Sequence, residues 1–280
     1  MDILTALAVL AASLLHATWH ALIKSSEDRV IALAGMNLVS GLVSLALLPL
    51  ANPLPAAILP IIALSVALHV GYKLALAKVY AGADLGQAYP LARGFAPIAA
   101  AVLAVPLLQE LPGPAALSGI VLVCIGIALL ATESGTQRLR PRTAAAALIA
   151  GGAVAAYSVV DAYGIRTSGD WLSFTIWLVA LDSGAFVAYA MATRRGRVLV
   201  AWRSGWRRVL GSGLLGVASF GIFMWALGKL PVGVVAALRE TSVIFAAMLG
   251  VFLLRERSTW RRGAAAVIVA GGVGVIAAGL

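Results

Sequence analysis

The sequence predicts an all-α, polytopic membrane protein, and three observations support that fold class. Apolar residues make up 62% of the 280 residues and charged residues only 11%, whereas a soluble protein has a charged share of roughly 25%. Apolar runs of roughly 17 to 24 residues recur from end to end, and about 20 residues are needed for a helix to cross the hydrocarbon core. The basic residues lie in short loops between these runs. No stretch of sequence is left over for a soluble domain.

The apolar runs predict ten transmembrane helices. The first run lacks a basic leader and a small-residue cleavage site, so we expect it to be retained as a helix. Most breaks between runs are short, which favours antiparallel neighbours. The predicted spans are 3–23, 30–50, 58–78, 85–107, 114–131, 143–164, 171–192, 208–228, 232–254 and 260–279.

The basic residues predict the orientation in the membrane. Sixteen of the 21 Lys and Arg residues lie in the odd-numbered loops, and the alternate side, with both termini, holds only Arg166 and Lys229. Because cytoplasmic loops carry the excess of Lys and Arg, both termini are predicted to lie outside, with the chain multi-pass in the cell inner (plasma) membrane. The seventh loop, RRGRVLVAWRSGWRR, is typical of an interfacial segment on an anionic leaflet rather than a nucleic-acid-binding one.

An internal repeat becomes visible when the chain is shifted by 146 residues. RGFAPIAAAVLAVPLLQE (93–110) then aligns with RETSVIFAAMLGVFLLRE (239–256), matching Arg to Arg and Glu to Glu. The chain therefore reads as two related halves, 1–135 and 136–280, each with five spans. Since five is odd, the second half enters the membrane inverted, which predicts two inverted five-helix repeats around a central cavity.

Six charged residues lie inside the predicted spans. Each costs about 2.5 to 3.5 kcal/mol at the bilayer centre, so most should face the bundle interior, in pairs or in water. Asp161 and Lys73 are placed nearer the ends of their spans, from which a side chain can reach the interface. The six are Lys73, Arg93, Arg239, Asp161, Asp182 and Glu240.

Arg93 and Arg239 occupy matching positions in spans four and nine. Either could bind a substrate carboxylate or phosphate through its planar guanidinium. Either could instead form a structural ion pair, for example Arg93 with Glu240 across the repeat. Arg239 and Glu240 point about 100° apart on a helix, so they are not expected to pair with each other.

Span four contains Pro90, Gly94 and Pro97 around Arg93. Prolines remove helical hydrogen bonds, and at membrane depth such interruptions face a cavity or packed protein. Span four is therefore predicted to be interrupted and to form a cavity wall.

Histidines and aromatic rings add to the candidate cavity. His20 lies four residues after His16 and could shuttle a proton, because its unperturbed pKa is near 6.5. The interpretation we favour is a hydrogen-bonded structural histidine near the interface. His69 and Tyr72 repeat the pairing of histidine with an aromatic ring in span three. The predicted substrate-binding residues are Trp19, His20, His69, Tyr72, Tyr89, Arg93, Tyr157, Trp177, Arg239 and Glu240.

Motifs for other chemistry are missing from the sequence. There is no G-x-x-x-x-G-K-[ST], no H-E-x-x-H and no G-x-S-x-G, so ATP hydrolysis and the common hydrolytic sites are not expected. Cys124 is the single cysteine and lies in an apolar run, where it is expected to be a small core residue. No catalytic residue, metal or cofactor is predicted.

Three stretches of the sequence resemble the drug/metabolite transporter superfamily in its EamA-type ten-helix branch. They are LHATWHALIKSSEDR, YPLARGFAPIAA and LRETSVIFAAMLGVFLLRERSTWRRGAAAVIVAGGVGVIA. Glu110 and Glu256 hold the same place, at a helix end before a short turn and a Gly-rich closing helix. The resemblance implies a transporter of small metabolites, and this chain is similar to bacterial exporters of amino acids, including aromatic ones. Small four-helix relatives use a Glu in their first helix for proton coupling, and span one here has none.

The sequence therefore predicts a secondary transporter that exports small metabolites, in particular amino acids, by alternating access. Its expected partners are the bilayer and a small-molecule substrate. Nucleic acid is not expected as a partner, and a monomer is sufficient. Arg93 or Arg239 would bind the carboxylate, and Glu240 or Asp182 would pair with the amine or with an arginine. The alternatives are an intramembrane enzyme for lipids or peptides, with His20 and Asp182 as acid and base, and a channel.

Overall fold

The computed structural model describes residues 3–24, 28–82, 85–131, 141–194, 196–254 and 259–279. Within these ranges the regular structure is helical, with short 3₁₀ turns at Leu48–Leu50 and Ala56–Ile58 between α2 and α3. The helices are α1 (Ile3–Lys24), α2 (Arg29–Leu47), α3 (Leu59–Gly82), α4 (Leu85–Leu108), α5 (Pro114–Ala131), α6 (Pro141–Ser168), α7 (Trp171–Arg194), α8 (Gly196–Ser204), α9 (Trp206–Leu227), α10 (Val232–Glu240), α11 (Ser242–Leu254) and α12 (Trp260–Ala278).

The all-helical, multi-pass prediction is confirmed. Seven helical segments of the described chain are long and apolar enough to cross a membrane, and shorter apolar stretches lie in α4 (92–108) and α5 (114–130). The predicted span ends fall close to the observed helix ends. The largest differences are at α6, which begins at Pro141 and runs on to Ser168, and at α3, which runs on to Gly82.

The predicted ninth span is two helices. α10 ends at Glu240 and α11 begins at Ser242, with Thr241 between them. The Thr241 backbone N–H and hydroxyl both donate to the Leu238 carbonyl, at 3.2 and 2.6 Å. A hydroxyl bonded back to a carbonyl competes with the helical ladder and bends it. The continuous span predicted here is therefore wrong in detail, and the break between the two helices directly follows Arg239 and Glu240.

The interruption predicted for span four is not observed. α4 is one helix from Leu85 to Leu108, including Pro90 and Pro97. The loop predicted before the eighth span is mostly helical, since α8 covers Gly196–Ser204, and the Trp202 indole N–H donates to the Ile31 carbonyl at 3.3 Å.

Polar contacts between loops define the two ends of the bundle. At one end, here named the Asp28 end, Asp28 caps α2 through the N–H groups of Val30 and Ile31 and accepts from Arg194 at the end of α7, at 3.2 Å. At the other, the Asp170 end, the Asn52 amide donates to Asp170 at 2.8 Å. Asp28 thus lies at the opposite end of the bundle from Asn52 and Asp170.

The most extensive helix contacts join the two halves of the chain. They pair α5 with α12, α4 with α6, α3 with α6, α2 with α7 and α1 with α9. α5 and α12 approach most closely at Gly119 and Gly272, where a Cβ on Gly119 would lie 2.6 Å from the Gly272 carbonyl oxygen. Small residues of this kind let transmembrane helices pack backbone to backbone.

Cys124 lies in the main apolar core at 6% exposure, as predicted.

Candidate functional site

A cavity lies between seven helices, near the middle of their lengths. Its walls combine aromatic rings with a few convergent polar groups, the usual composition of a small-molecule site. The lining residues are His16, Trp19, Leu33, Met36, Asn37, Ser40, His69, Tyr72, Lys73, Leu76, Tyr157, Val179, Asp182, Ser183, Gly216, Val217, Phe220, Phe223 and Arg239.

Arg93 and Glu240 form a buried ion pair beside this cavity. Arg93 Nη1 donates to Glu240 Oε1 at 2.9 Å, and both side chains are only 1% exposed. Arg93 Nη2 lies 2.7 Å from His16 Nε2. Because a guanidinium only donates, that nitrogen of His16 must be the acceptor. Of the two alternatives for Arg93, the structure therefore contains the ion pair with Glu240, which joins α4 of one half to α10 of the other.

Arg239 faces the cavity and lies against rings. Its guanidinium carbon is 4.8 Å from the centroid of Phe223 and 5.8 Å from that of Tyr157. Among the described residues no carboxylate forms an ion pair with it, and its Nε has no hydrogen-bond partner. Arg239 and Glu240 thus have different partners, as the helical geometry predicts.

Lys73 and Asp182 form a second ion pair, in the cavity wall. Lys73 Nζ donates to Asp182 Oδ2 and, at 2.6 Å, to Asn37 Oδ1. The side chains of Lys73 and Asp182 are 11% and 12% exposed. The expectation that Lys73 reaches the interface is wrong, because α3 continues nine residues beyond it to Gly82. Asn37 is a site residue that sequence reasoning missed; an Asn within the apolar run of α2 was the available signal.

His69 connects the cavity to a third buried carboxylate. Asp161 accepts from Ser65 and lies 3.0 Å from His69 Nε2, and its exposure is 1%. The expectation that Asp161 reaches the interface is also wrong, since α6 extends to Ser168. The His69 ring stacks on Tyr157 with centroids 4.0 Å apart.

The structure brings five of the ten predicted substrate-binding residues to the cavity wall: Trp19, His69, Tyr72, Tyr157 and Arg239. His20 stacks on Trp19, with centroids 3.8 Å apart. Trp177 instead packs at the Asp170 end, where its indole N–H donates to the Asn52 carbonyl at 3.2 Å. The side chain of Tyr89 lies outside the described residues.

A polar cluster closes the Asp170 end. Glu110 accepts from Arg166 at 2.6 Å and from the backbone N–H of Val232 at 3.0 Å. Arg166 also donates to the carbonyls of Leu227 and Leu230, both at 3.0 Å. We name this cluster the Glu110 latch; it ties the end of α4 to α6 and to the α9–α10 turn. The sequence had singled out Glu110 for its position in the repeat, without its partner.

The fold of the chain is shared with a solved structure. A solved structure described as "Crystal structure of protein" is similar over 97% of this chain and 96% of its own, with a TM-score of 0.74 and 17% sequence identity. At that identity the likeness shows a shared fold. No curated protein gives a significant match.

Residues 142–278 match the EamA-like transporter family. The matched residues include most of α6 and the whole of α7 to α12, and so hold Tyr157, Asp182 and Arg239 of the cavity. The match is consistent with the drug/metabolite transporter superfamily and with a membrane transporter of small molecules. The chain is thus a multi-pass membrane protein whose residues 142–278 match the EamA-like transporter family.

Proposed function

We propose that the protein is a secondary transporter that exports amino acids by alternating access, with Arg239 as the carboxylate site. The observation that carries this proposal is the difference between the two central arginines. Arg93 is held by Glu240, whereas Arg239 faces the cavity without a carboxylate among the described residues. A guanidinium in a low-dielectric pocket binds a substrate carboxylate strongly.

The rest of the pocket fits an amphipathic zwitterion. Asp182 Oδ1 is buried and has no hydrogen-bond partner among the described residues, so it can accept a hydrogen bond from a substrate ammonium. Tyr72, Phe220 and Phe223 offer apolar faces to a side chain. An aromatic amino acid combines these three features: a carboxylate, an ammonium and a ring.

Two inverted repeats of five spans explain how the cavity could open alternately. We count α10 and α11 as one span and α8 as part of a loop. If each span is then replaced by the span at the same position in the other half, the α1–α9 contact becomes α6–α3, and the α2–α9 contact becomes α7–α3. The same exchange maps α5–α12 and α2–α7 onto themselves. Asp28 before α2 and Asp170 before α7 are matching caps. Rocking one repeat against the other is the usual route to alternating access.

By the distribution of Lys and Arg, the Asp28 end is cytoplasmic and both termini are outside, in the cell inner membrane. The Glu110 latch then lies at the outer end. We expect a reporter protein fused after Leu280 to be located on the outer side of the membrane, so that only a reporter that functions there is active. Activity on the cytoplasmic side would overturn the orientation.

Exchange of labelled phenylalanine in proteoliposomes tests the function. We expect purified protein to exchange phenylalanine far faster than empty vesicles. Arg239→Gln should abolish exchange, while Lys229→Gln, which alters a lysine lying over Trp225 outside the cavity, should not. Exchange equal to that of empty vesicles contradicts the substrate class, and full exchange by Arg239→Gln contradicts the role of Arg239. Unitary currents in a planar bilayer would indicate a channel.

A further inference from the structure

Two neighbouring polar atoms on α7 lack partners in the described structure. Asp182 Oδ1 and Ser183 Oγ are buried without a hydrogen bond, although both residues line the cavity. Ser183 is only 2% exposed. A buried acceptor with no partner is costly, so such atoms in a cavity indicate a ligand that donates hydrogen bonds.

The other oxygen of the same carboxylate holds Lys73. The Lys73 ammonium also donates to Asn37 Oδ1 at 2.6 Å and lies 5.2 Å from the centroid of Phe186. The pair is almost fully enclosed, so its charges are poorly screened. One carboxylate therefore balances one cation at this point of the wall.

A second cation at Asp182 would disturb that balance. In a low-dielectric site, a like charge nearby disfavours the protonated form of a lysine. Arg239 cannot compensate by losing a proton, because a guanidinium stays charged. Of these two cations, only Lys73 can lose its charge by releasing a proton.

The remaining titratable groups around the cavity are held by other partners or are uncharged phenols. His16 accepts from Arg93, and His69 faces Asp161. Tyr72 and Tyr157 face each other, with centroids 5.7 Å apart. The wall formed by α9 presents only Gly216, Val217, Phe220 and Phe223, and α2 presents Asn37 as its polar group beside Lys73.

We propose that Asp182 and Ser183 form an ammonium-binding subsite whose occupation expels the proton of Lys73. The substrate ammonium donates to Asp182 Oδ1 and Ser183 Oγ, and Lys73 Nζ–H transfers its proton to cavity water, leaving a neutral amine bound to Asn37 and Asp182. One proton leaves for each ammonium that enters, and reprotonation of Lys73 expels the ammonium. The inference rests on the proposed amino-acid function and makes the transporter a proton antiporter.

Three ligands that carry the same aromatic ring distinguish binding at the ammonium subsite from binding at the carboxylate site of Arg239. Phenylalanine carries both charges, phenethylamine only the ammonium and 3-phenylpropionate only the carboxylate. Calorimetric titration at one pH in phosphate and in Tris gives the number of protons released, because the two buffers differ in ionisation enthalpy. We expect one proton released per phenylalanine or phenethylamine bound, and none per 3-phenylpropionate.

Substitutions at Lys73 give a readout that a merely structural role would not produce. Lys73→Gln should still bind phenethylamine but release no proton, and in proteoliposomes it should exchange phenylalanine without responding to a pH gradient. Lys73→Arg keeps a permanent charge and should bind the amine more weakly than Lys73→Gln does. Lys229→Gln, the matched lysine control, should keep one proton per amine. Size-exclusion profiles identify any variant that fails to fold.

The outcomes separate this inference from the proposed function. Phenylalanine binding without proton release, or release that persists in Lys73→Gln, overturns the exchange and leaves the amino-acid substrate intact. Binding of 3-phenylpropionate alone overturns the ammonium subsite and leaves Arg239 as an anion site. Failure of all three probes to bind overturns the substrate class and the subsite together.

Discussion

Arg93 Nη1 and Glu240 Oε1 lie 2.9 Å apart, although their residues are 147 positions apart in the chain. Both side chains are 1% exposed, so the pair is enclosed by protein. It fixes α4 of the first half against α10 of the second and leaves Arg239, the neighbour of Glu240, to face the cavity. The pair therefore determines which of the two central arginines faces the cavity.

Removing one member of this pair should be more damaging than removing both. Arg93→Leu leaves the Glu240 carboxylate buried opposite an apolar side chain, and breaking a buried pair in this way costs about 3 to 5 kcal/mol. Arg93→Leu combined with Glu240→Leu should recover most of that loss. Unfolding free energies from denaturant titration in mixed micelles measure the effect. A double variant as unstable as the sum of the single ones would contradict the prediction.

The Glu110 latch should control access from the Asp170 end. Glu110→Gln weakens the charge-assisted bond to Arg166, and a loss of about 1.4 kcal/mol raises the open population about tenfold. In a Cys124→Ser background, a cysteine at the fully buried Val234 position should then react about tenfold faster with an impermeant maleimide applied at that end. Unchanged labelling would exclude the latch as a barrier.

The contact between α5 and α12 should not tolerate a side chain. A Cβ at Gly119 would lie 2.6 Å from both the Gly272 carbonyl oxygen and Ile276 Cγ1. We expect Gly119→Ala to cost about 1 to 3 kcal/mol, the usual penalty for overpacking. Gly271→Ala is the matched control, because nothing lies within 4 Å of its Cβ. Thermal unfolding in detergent should separate the two, and equal melting temperatures would contradict the close packing.

Asp170 should stabilise the start of α7 in a pH-dependent way. The backbone N–H and hydroxyl of Ser173, followed by the amide of Asn52, hold the pKa of Asp170 below its usual 3.8. Its contribution is therefore fully present above that value and is lost as the pH falls through the lower folded-state pKa. Asp170→Ala should cost about 1 kcal/mol near neutral pH, as for other helix caps.

Melting temperatures measured against pH check the role of Asp170. The difference between the wild type and Asp170→Ala should hold constant down to about pH 5 and shrink below pH 3.8. A difference that grows on acidification would show that the carboxylate does not cap α7.

Hydropathy predicted most helix ends because the apolar surface of a spanning helix must match the hydrocarbon thickness. The break at Thr241 was missed because no Pro or Gly marks it. At this residue the threonine hydroxyl donates to the Leu238 carbonyl. For Pro90 and Pro97 the prediction failed in the opposite direction, because a break was expected where the helix is continuous. Proline in a transmembrane helix is tolerated where neighbouring groups satisfy the freed carbonyls, so it marked an interruption that α4 does not have.

The charged residues of the candidate site could be predicted from the sequence, but the ion pairs that they form could be predicted less well. The cost of a charge in the bilayer singled out Arg93, Arg239 and Glu240 before any contact was known. Which arginine Glu240 binds depends on the rotation of α10 against α4, and that rotation is set by packing between distant residues. Asp182 was expected to pair with the amine or with an arginine, whereas Lys73 was left out of the predicted site because it was placed near the end of its span.

The sequence separation of the central ion pair has a consequence for biosynthesis. Arg93 is made 147 residues before Glu240, which at about 5 to 20 residues per second is roughly 7 to 30 s of translation. During that time the nascent first half holds a buried cation whose carboxylate has not yet been made. His16, synthesised earlier and placed 2.7 Å from Arg93 in the finished protein, is an acceptor already present in the first half. The histidine in α1 can thus act as a temporary partner that keeps α4 in the bilayer until α10 arrives.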